Sequence, residues 1–323
     1  MREESKQMPH GESPVVGIDL GGTWLRAAAF DAAGGIVRSG RVATDRDGGP
    51  ARVVDQIVGL VRELLVSPTG SASRPSVTVI GVPGTVAPIS GVVHAAANLT
   101  DWQEVPLRQM LEGQLGCRCV VENDANVAAL AEYRRGAGRG VANFAYVTVS
   151  TGIGAGLVLD NRLYLGSVGG AGEFGHMVAI PDGPPCSCGH RGCINAIASG
   201  DGIARAAGAE SAEDVVRAAA AGDARAQAVL DAAARYLGIA LGGLINLLAL
   251  DAVALGGGVF GAGASFWGVM VAAVAEGSFA ATRAHCQIRP AELTSDLGLV
   301  GAFELTREGR PPSERPGASE PGA

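Results

Sequence analysis

From Val15 onward, apolar and polar residues alternate in short blocks. Three apolar runs, Val15–Leu20, 25–30 and 36–44, are parted by Gly-Gly and by the turn at 31–35, the pattern of a β-meander. Val53, Ile57, Leu60, Val61 and Leu64 then recur at helical spacing, and Val77–Val82 is a short apolar strand that stops at Pro83-Gly84. Leu107–Leu115 reads as a helix, 118–121 as a strand and 125–134 as a helix. A second series starts with strands at Phe144–Val149 and 156–159 and crosses an irregular Gly- and Cys-rich stretch, 166–192. Helices follow across 214–249, then a buried strand at 252–255, a helix at 266–275, a strand at 286–293 and a last helix at 297–306. Two successive series of strands alternating with helices predict two α/β domains with a cleft between them.

Composition supports a globular chain of about two ordinary domains: 323 residues, 47% hydrophobic, 18% charged and 49 glycines, which excludes general disorder and collagen-like repetition. With no heptad run and no apolar stretch of the ~18 residues a spanning helix needs, no membrane partner is expected. The net charge is −7, and basic residues occur singly or in pairs such as Arg134-Arg135, so no nucleic-acid partner is expected either. Residues 1–14 are charged and polar without a secretory apolar segment, and six cysteines are too sparse for a disulfide framework. A cytoplasmic protein is the expectation. From residue 308, Pro, Ser, Glu and Gly dominate, as in a disordered tail.

Four segments carry candidate chemistry. Asp19-Leu20-Gly21-Gly22-Thr23 sits between the first two strands; its glycines let backbone N–H groups approach a phosphate, Thr23 adds a hydroxyl, and Asp19 would hold a magnesium water. A plain hairpin turn explains Gly-Gly equally well. Ser150-Thr151-Gly152-Ile153-Gly154 is a second Gly/Thr turn after the first strand of the second series, and Gly256-Gly257-Gly258 follows a buried strand and could pass close to an adenosine. Facing turns of this kind suit the phosphates of ATP, whereas neither a strand-to-helix dinucleotide fingerprint nor a GxxxxGK[ST] loop is present.

Glu122-Asn123-Asp124-Ala125-Asn126 lies where an apolar strand meets a helix. Asn123 or Asp124 could simply cap that helix; alternatively, Asp124 is a general base that takes a proton from a sugar hydroxyl. The last segment joins Glu173 and His176 to Cys186, Cys188 and Cys193. One imidazole and three thiolates form a Cys₃His set expected to hold Zn²⁺ in a closed, structural site, with His190 as a competing ligand more plausibly left outside. Free thiols are the alternative. Cys117, Cys119 and Cys286 read as inert thiols, and His10, His94 and His285 as histidines without a surrounding constellation. Trp102 either covers a sugar face or belongs to the core.

Together with Gly81-Val82-Pro83-Gly84 and Asn98-Leu99-Thr100-Asp101-Trp102, these motifs resemble the ROK family of sugar kinases from about Val15 to Phe303, and most closely its zinc-containing glucokinases. The resemblance implies the actin-like ATPase (ribonuclease H-like) fold: a small α/β domain over 14–126, a large one over 127–295 and a helix at 296–307 returning to the small domain, between tails at 1–13 and 308–323. It implies an ATP- and Mg²⁺-dependent kinase acting on the 6-hydroxyl of a hexose, assembled as a homodimer or homotetramer. Asp124 is then the base, and Asn98, Asn123, Glu173, His176 and Asn195 are sugar-binding residues. His176 would bind zinc through one ring nitrogen and face the sugar with the other. Asp19, Gly21, Gly22, Thr23, Thr151, Gly152, Ile153, Gly154 and Gly256–Gly258 are the nucleotide set. Part of the family consists of sugar-sensing repressors with a DNA-binding module ahead of the kinase-like body; with fourteen residues before the first strand, an enzyme is expected here.

One position departs from the family. Its Cys-x-Glu reads Cys193-Ile194-Asn195, an amide where a carboxylate contacts the 1- and 2-hydroxyl region of the sugar. An amide both donates and accepts, so glucose is expected to be matched less well at that end. A glucose analogue of specialised metabolism, an amino sugar such as kanosamine or a C7 cyclitol, is the alternative substrate.

Overall fold

The computed structural model describes residues 13–66, 73–96, 99–293 and 296–308. The expected tails therefore lie outside the described residues, apart from Ser13 and Glu308. Glu308 itself is held: its carboxylate pairs with Arg134 at 2.5 Å.

The elements run β1 (Val15–Leu20), β2 (Trp24–Phe30), β3 (Ile36–Ala43), α1 (Gly49–Leu65), β4 (Val77–Val82), β5 (Thr85–Val86), β6 (Val93–Ala95), β7 (Gln103–Val105), α2 (Leu107–Leu115), β8 (Arg118–Asn123) and α3 (Asp124–Arg135). The second series is β9 (Phe144–Val149), β10 (Ile153–Leu159), β11 (Arg162–Leu163), α4 (Ile194–Ala198), α5 (Gly200–Ala207), α6 (Ala212–Ala220), α7 (Ala224–Leu248), β12 (Ala252–Gly256), α8 (Ala264–Gly277), α9 (Ala280–His285), β13 (Gln287–Pro290) and α10 (Leu297–Leu305). The chain forms two compact units. The first takes the chain up to Arg134, the segment Leu163–Ala171 and everything from Leu293; the second takes Arg135–Arg162 and Gly172–Glu292.

In the first unit a five-stranded sheet has the order β3-β2-β1-β4-β8. The meander β1-β2-β3 is antiparallel, and β4 and β8 add parallel to β1. The register pairs Asp19 with Gly81 and Gly81 with Glu122, so β1, β4 and β8 finish level with one another. Ligands of parallel α/β sheets bind at such carboxyl ends. On one face α1 packs Val53, Ile57, Val61 and Leu64 onto the sheet with α2, the helical spacing read from the sequence. On the other, Leu299 and Phe303 of α10 pack against Ala28 and Phe30. A second, three-stranded sheet, β5-β6-β7, was not legible because its strands are two or three residues long.

The second unit repeats the plan with the order β11-β10-β9-β12-β13, in which β9 and β10 are antiparallel and β12 and β13 parallel. β10 starts at Ile153, three residues before the first apolar run suggested, because backbone pairing with β9 continues through the glycines to Ile153 opposite Val149. α7 is long and apolar enough to cross a bilayer by composition, a length the sequence pattern did not reveal. It is a core helix here: Leu230, Ala234, Leu237, Leu241 and Ile245 are buried in the hydrophobic cluster of this unit.

Candidate functional site

At the end of β8, the chain turns directly into α3. Asn123 makes the turn: its Oδ1 accepts from the N–H groups of Ala125 at 2.9 Å and Asn126 at 3.1 Å, and its Nδ2 donates to the carbonyl of Gly84 at 2.9 Å. Gly84 has φ +98 and lies so close to Ala95 that a Cβ would fall 1.8 Å from that carbonyl oxygen, so only glycine can hold this bond. The capping reading thus describes Asn123, with one Nδ2 hydrogen left for a ligand. Asp124 is different. It opens α3, is exposed, and shares Oδ1 with the N–H of Ala125 at 2.8 Å, which aims a carboxylate outward from a fixed helix start. Two residues before it, Glu122 is buried, and burial pushes its carboxyl up to about 7 against the opposing pull of bonds from Asn126 and Asn123.

The neighbouring β1–β2 turn is a hairpin in which Gly21 N donates to Trp24 O at 3.0 Å. The hairpin reading and a donor turn are compatible, because among the described residues the N–H groups of Gly22 and Thr23 have no backbone partner. Asp19 pairs with Arg26 at 2.5 Å through Oδ2. Burial raises its carboxyl above the usual range, Arg26 opposes that shift, and Asp296 adds to it.

In the second unit, a turn of 3₁₀ helix over Phe174–His176, anchored by buried Phe174, sets Glu173 and His176 side by side, with His176 Nε2 4.0 Å from Glu173 Oε2. The other ring nitrogen faces the cysteines: His176 Nδ1 is 3.6 Å from Cys186 Sγ, Cys188 and Cys193 sulfurs are 3.6 Å apart, and the four ligand atoms all lie within 4.8 Å of one another. A tetrahedral zinc with Zn–S of ~2.3 Å sets its donors about 3.5–3.8 Å apart, so this donor set fits the ion. His190 Nδ1 is 3.5 Å from Cys188 Sγ yet falls outside the four-ligand group. Desolvation raises the Cys186 thiol, but hydrogen bonds from Cys188, His176 and Cys193 outweigh it and bring it down to about 7.

Cys193 leads straight into α4, and Asn195 on its first turn accepts the N–H of Ile153 at 2.8 Å. Ile153 and Gly154 belong to β10 and the Ile153 N–H is already engaged, while in the turn before them Ser150 and Thr151 are exposed and Gly152 is half-buried. Among the described residues, the Nδ2 of Asn195 makes no hydrogen bond. The same turn is tied to the start of α5, where Gly200 N donates to Ser150 O at 2.6 Å.

Beside that turn opens a cavity of about 560 Å³, lined by Thr151, Asp201, Glu213, Val216, Gly258 and Ala262 among others. Gly257, with φ +103, carries the backbone past Val149 at a distance no side chain allows, since a Cβ would fall 2.2 Å from the Val149 carbonyl oxygen. Gly258 thereby reaches the cavity wall. The acidic and apolar residues from α5 and α6 were missed, because nothing in their spacing links them to the glycines.

The other candidates resolve simply. Trp102 is 2% exposed and belongs to the core. Asn98 and His10 lie outside the described residues. His94 and His285 do have partners, Glu104 and Asp251, each at 2.8 Å. Burial pushes the Cys119 and Cys286 thiols up, the latter to about 11, away from the reactive range.

The ROK family profile matches residues 15–309. A glucokinase of Halalkalibacterium halodurans is 34% identical over 321 residues, covering 91% of this chain and 94% of its own. Among solved structures, the ROK hexokinase from Thermus thermophilus superposes with a TM-score of 0.80 at 34% identity, over 92% of this chain and all of that one. A ROK family glucokinase from Streptomyces griseus, solved in complex with glucose and AMPPNP, gives a TM-score of 0.75 at 32% identity, again over 92% and 100%. The two sheets are those of the actin-like ATPase fold.

Proposed function

From the premise that the chain belongs to the ROK family and is a hexose kinase, we propose that it transfers the γ-phosphoryl group of ATP to the 6-hydroxyl of glucose or a close glucose analogue, with Asp124 as general base. The observation that carries this reading is the exposed carboxylate of Asp124, aimed by the Asn123 cap at the carboxyl end of β8, level with the β1–β2 turn. Asp124 accepts the proton of the 6-hydroxyl as that oxygen attacks the γ-phosphorus. The new P–O bond forms while the bond to the β-phosphate bridging oxygen breaks and ADP leaves.

Gly21, Gly22, Thr23, Thr151 and Gly152 supply the donors for phosphates. The cavity beside Gly258 has the size and mixed lining expected of an adenosine pocket. Asp19 offers one carboxylate oxygen beyond its pair with Arg26, which suits a Mg²⁺ held through water, and that ion would neutralise charge on the transferring phosphates. Glu173, His176 and the remaining Asn123 N–H bind sugar hydroxyls. Zinc bound by His176, Cys186, Cys188 and Cys193 would order the loop and set the tautomer of His176, whose Nε2 faces the Glu173 carboxylate. The protein is cytoplasmic in this reading, where its thiols stay reduced, and a homodimer or homotetramer.

Asn195 favours a second reading of the substrate. Its oxygen is engaged by Ile153, so it presents a donor where the family carboxylate accepts. An amino sugar phosphorylated at its 6-hydroxyl, such as kanosamine, or a C7 cyclitol phosphorylated at the 7-position, then replaces glucose. An ADP-release assay with Mg-ATP against glucose, mannose, N-acetylmannosamine, fructose, kanosamine and a C7 cyclitol decides between them by kcat/KM. Preference for glucose supports the first reading, preference for an analogue the second. Sugar binding without turnover of any of them would overturn both and leave a sensor.

A further inference from the structure

Two residues before the exposed Asp124 lies a carboxyl that phosphoryl transfer does not use. Glu122 is 7% exposed, and both hydrogen bonds described for its carboxyl end on Oε1: one from the backbone N–H of Asn123 at 2.8 Å, one from Nδ2 of Asn126 at 2.9 Å. Asn126 is itself 1% exposed, and its Oδ1 has no hydrogen-bond partner. A buried amide oxygen left without a donor carries its full desolvation penalty, and an ionised carboxylate has no proton to relieve it. A carboxylic acid does.

We propose that Glu122 is held as the neutral acid and forms a two-bond ring with the amide of Asn126, Nδ2–H to Oε1 and Oε2–H to Oδ1, which positions the Asn123–Asp124 corner. The ring joins the last strand residues to the first turn of α3. It satisfies both ends of a buried amide and leaves Oε1 to receive the Asn123 N–H as well. The surroundings agree. Opposite Glu122 on β4 stands Gly81, without a side chain, and β4 and β5 carry no titratable group. The charged groups on the adjoining helices are Asp124, Glu132, Arg134 and Arg135 on α3, Glu304 on α10, and Arg108 and Glu112 on α2, where Glu112 is turned to the N–H of Cys119. None of them contributes to the ionisation of Glu122, whose carboxyl is raised from 4.5 to about 7 by burial alone. The bond from Oε2–H, made only by the acid, moves the balance further toward the proton.

Deprotonation would set a negative oxygen against Asn126 Oδ1, open the ring and place a second negative charge two residues from Asp124. Glu122 is therefore a positioning residue with a pH signature: turnover falls as pH rises through the ionisation of Glu122. This inference rests on Asp124 as the base, but the proton can be read without catalysis.

The test is infrared difference spectroscopy of the unliganded full chain, with ¹³C-glutamate labelling, through a pH titration. A protonated-carboxyl C=O band that shifts with the label, vanishes as pH rises and is absent from Glu122→Gln is expected. Glu122→Gln preserves the ring, with Nε2–H in place of Oε2–H. Its kcat should stay within about threefold of the unmodified enzyme at acidic pH and lose the alkaline fall. Asn126→Ala should lower kcat about tenfold at acidic pH, the scale of one lost buried bond, and by less at alkaline pH, where the ring is already open. A wild-type protein without the band, or a folded Glu122→Gln variant that loses turnover as fully as Asp124→Asn, overturns the proposal. If Glu122→Gln fails to fold, the labelled wild-type titration still decides. Should Asp124→Asn keep its turnover while the band is present, the assignment of the base fails and the ring stands.

Discussion

The corner at the end of β8 and the loop from His176 to Cys193 are held in place by opposite means. In the corner, the hydrogen bonds described for Glu122, Asn123 and Asn126 reach backbone or side-chain atoms at most four residues away, joined by the bond from Asn123 to Gly84, and Asp124 receives the N–H of Ala125. The loop has one turn of 3₁₀ helix and two isolated bridges, Val178 to Cys193 and Pro185 to Arg191. What converges there is four side-chain atoms on one point. The corner is therefore ordered by its own side chains bonding locally, whereas the loop adds to backbone bonds, such as Cys186 N–H to His190 O at 2.8 Å, four side-chain donors that converge on one point to be completed by what they bind.

The sharpest way to break this comparison is through function at the corner. Asp124→Asn should reduce kcat at least ~10²-fold, with sugar affinity and thermal stability changed little, because asparagine can still receive the Ala125 N–H. Near-normal turnover would place the base elsewhere. Next in size is the loop: metal analysis should find about one zinc per chain, and chelation or Cys188→Ser should lower activity about 10–100-fold, the usual scale when a metal site and its supporting shell are disturbed. Hydrogen exchange should then quicken from His176 to Cys193 and stay slow at β8 and α3. A metal-free, fully active preparation with an equally protected loop would remove the distinction.

Asn195 lies just beyond the loop and holds the turn of β9 and β10 through Ile153. Asn195→Glu should raise the glucose-to-analogue ratio of kcat/KM about tenfold, since a carboxylate can keep the Ile153 bond and accept from the sugar; an unchanged ratio would separate this position from specificity. Asn123→Ala should cost about 0.5–2 kcal/mol of stability, as loss of a helix cap does, without altering zinc content. A loss of zinc in that variant would mean the two regions are not independent.

The smallest expected effect contrasts the two units under acid. Asp251 is held below its ordinary carboxylate value by the N–H of Asn143 and then by His285, so its contribution is present above pH 3.8 and lost as pH falls through the lowered value. Asp19 and Glu122 are raised, mainly by burial; the stability tied to their protons is present at low pH and lost as pH rises through their folded values. Acid should therefore weaken the second unit first. Asp251→Asn should flatten the acid limb of its unfolding, followed by circular dichroism against pH, and an unchanged limb would assign that slope to other groups.

Much of the fold was legible because the relevant forces are periodic. Leu107–Leu115 and Phe144–Val149 end where the apolar pattern ends. The start of β10 was not, since Ile153 pairs with Val149 through glycines that carry no apolar signal. At the candidate site, Asp124 and the His/Cys cluster stood out by residue type, while Asp201 and Glu213 in the cavity wall did not, because they meet Gly258 only in three dimensions. Trp102 was open between core and ligand, and packing decided for the core.

By itself the sequence determined two α/β series, the capped strand end with its carboxylate and the metal-ligand set, all of which depend on local spacing and donor chemistry. Tertiary structure alone decided that β1, β4 and β8 finish level, that Asn195 is engaged by Ile153, and that Glu122 is buried beside an amide oxygen without a donor. Register, long-range hydrogen bonding and burial depend on which segments of the chain pack together, and no local pattern encodes that pairing.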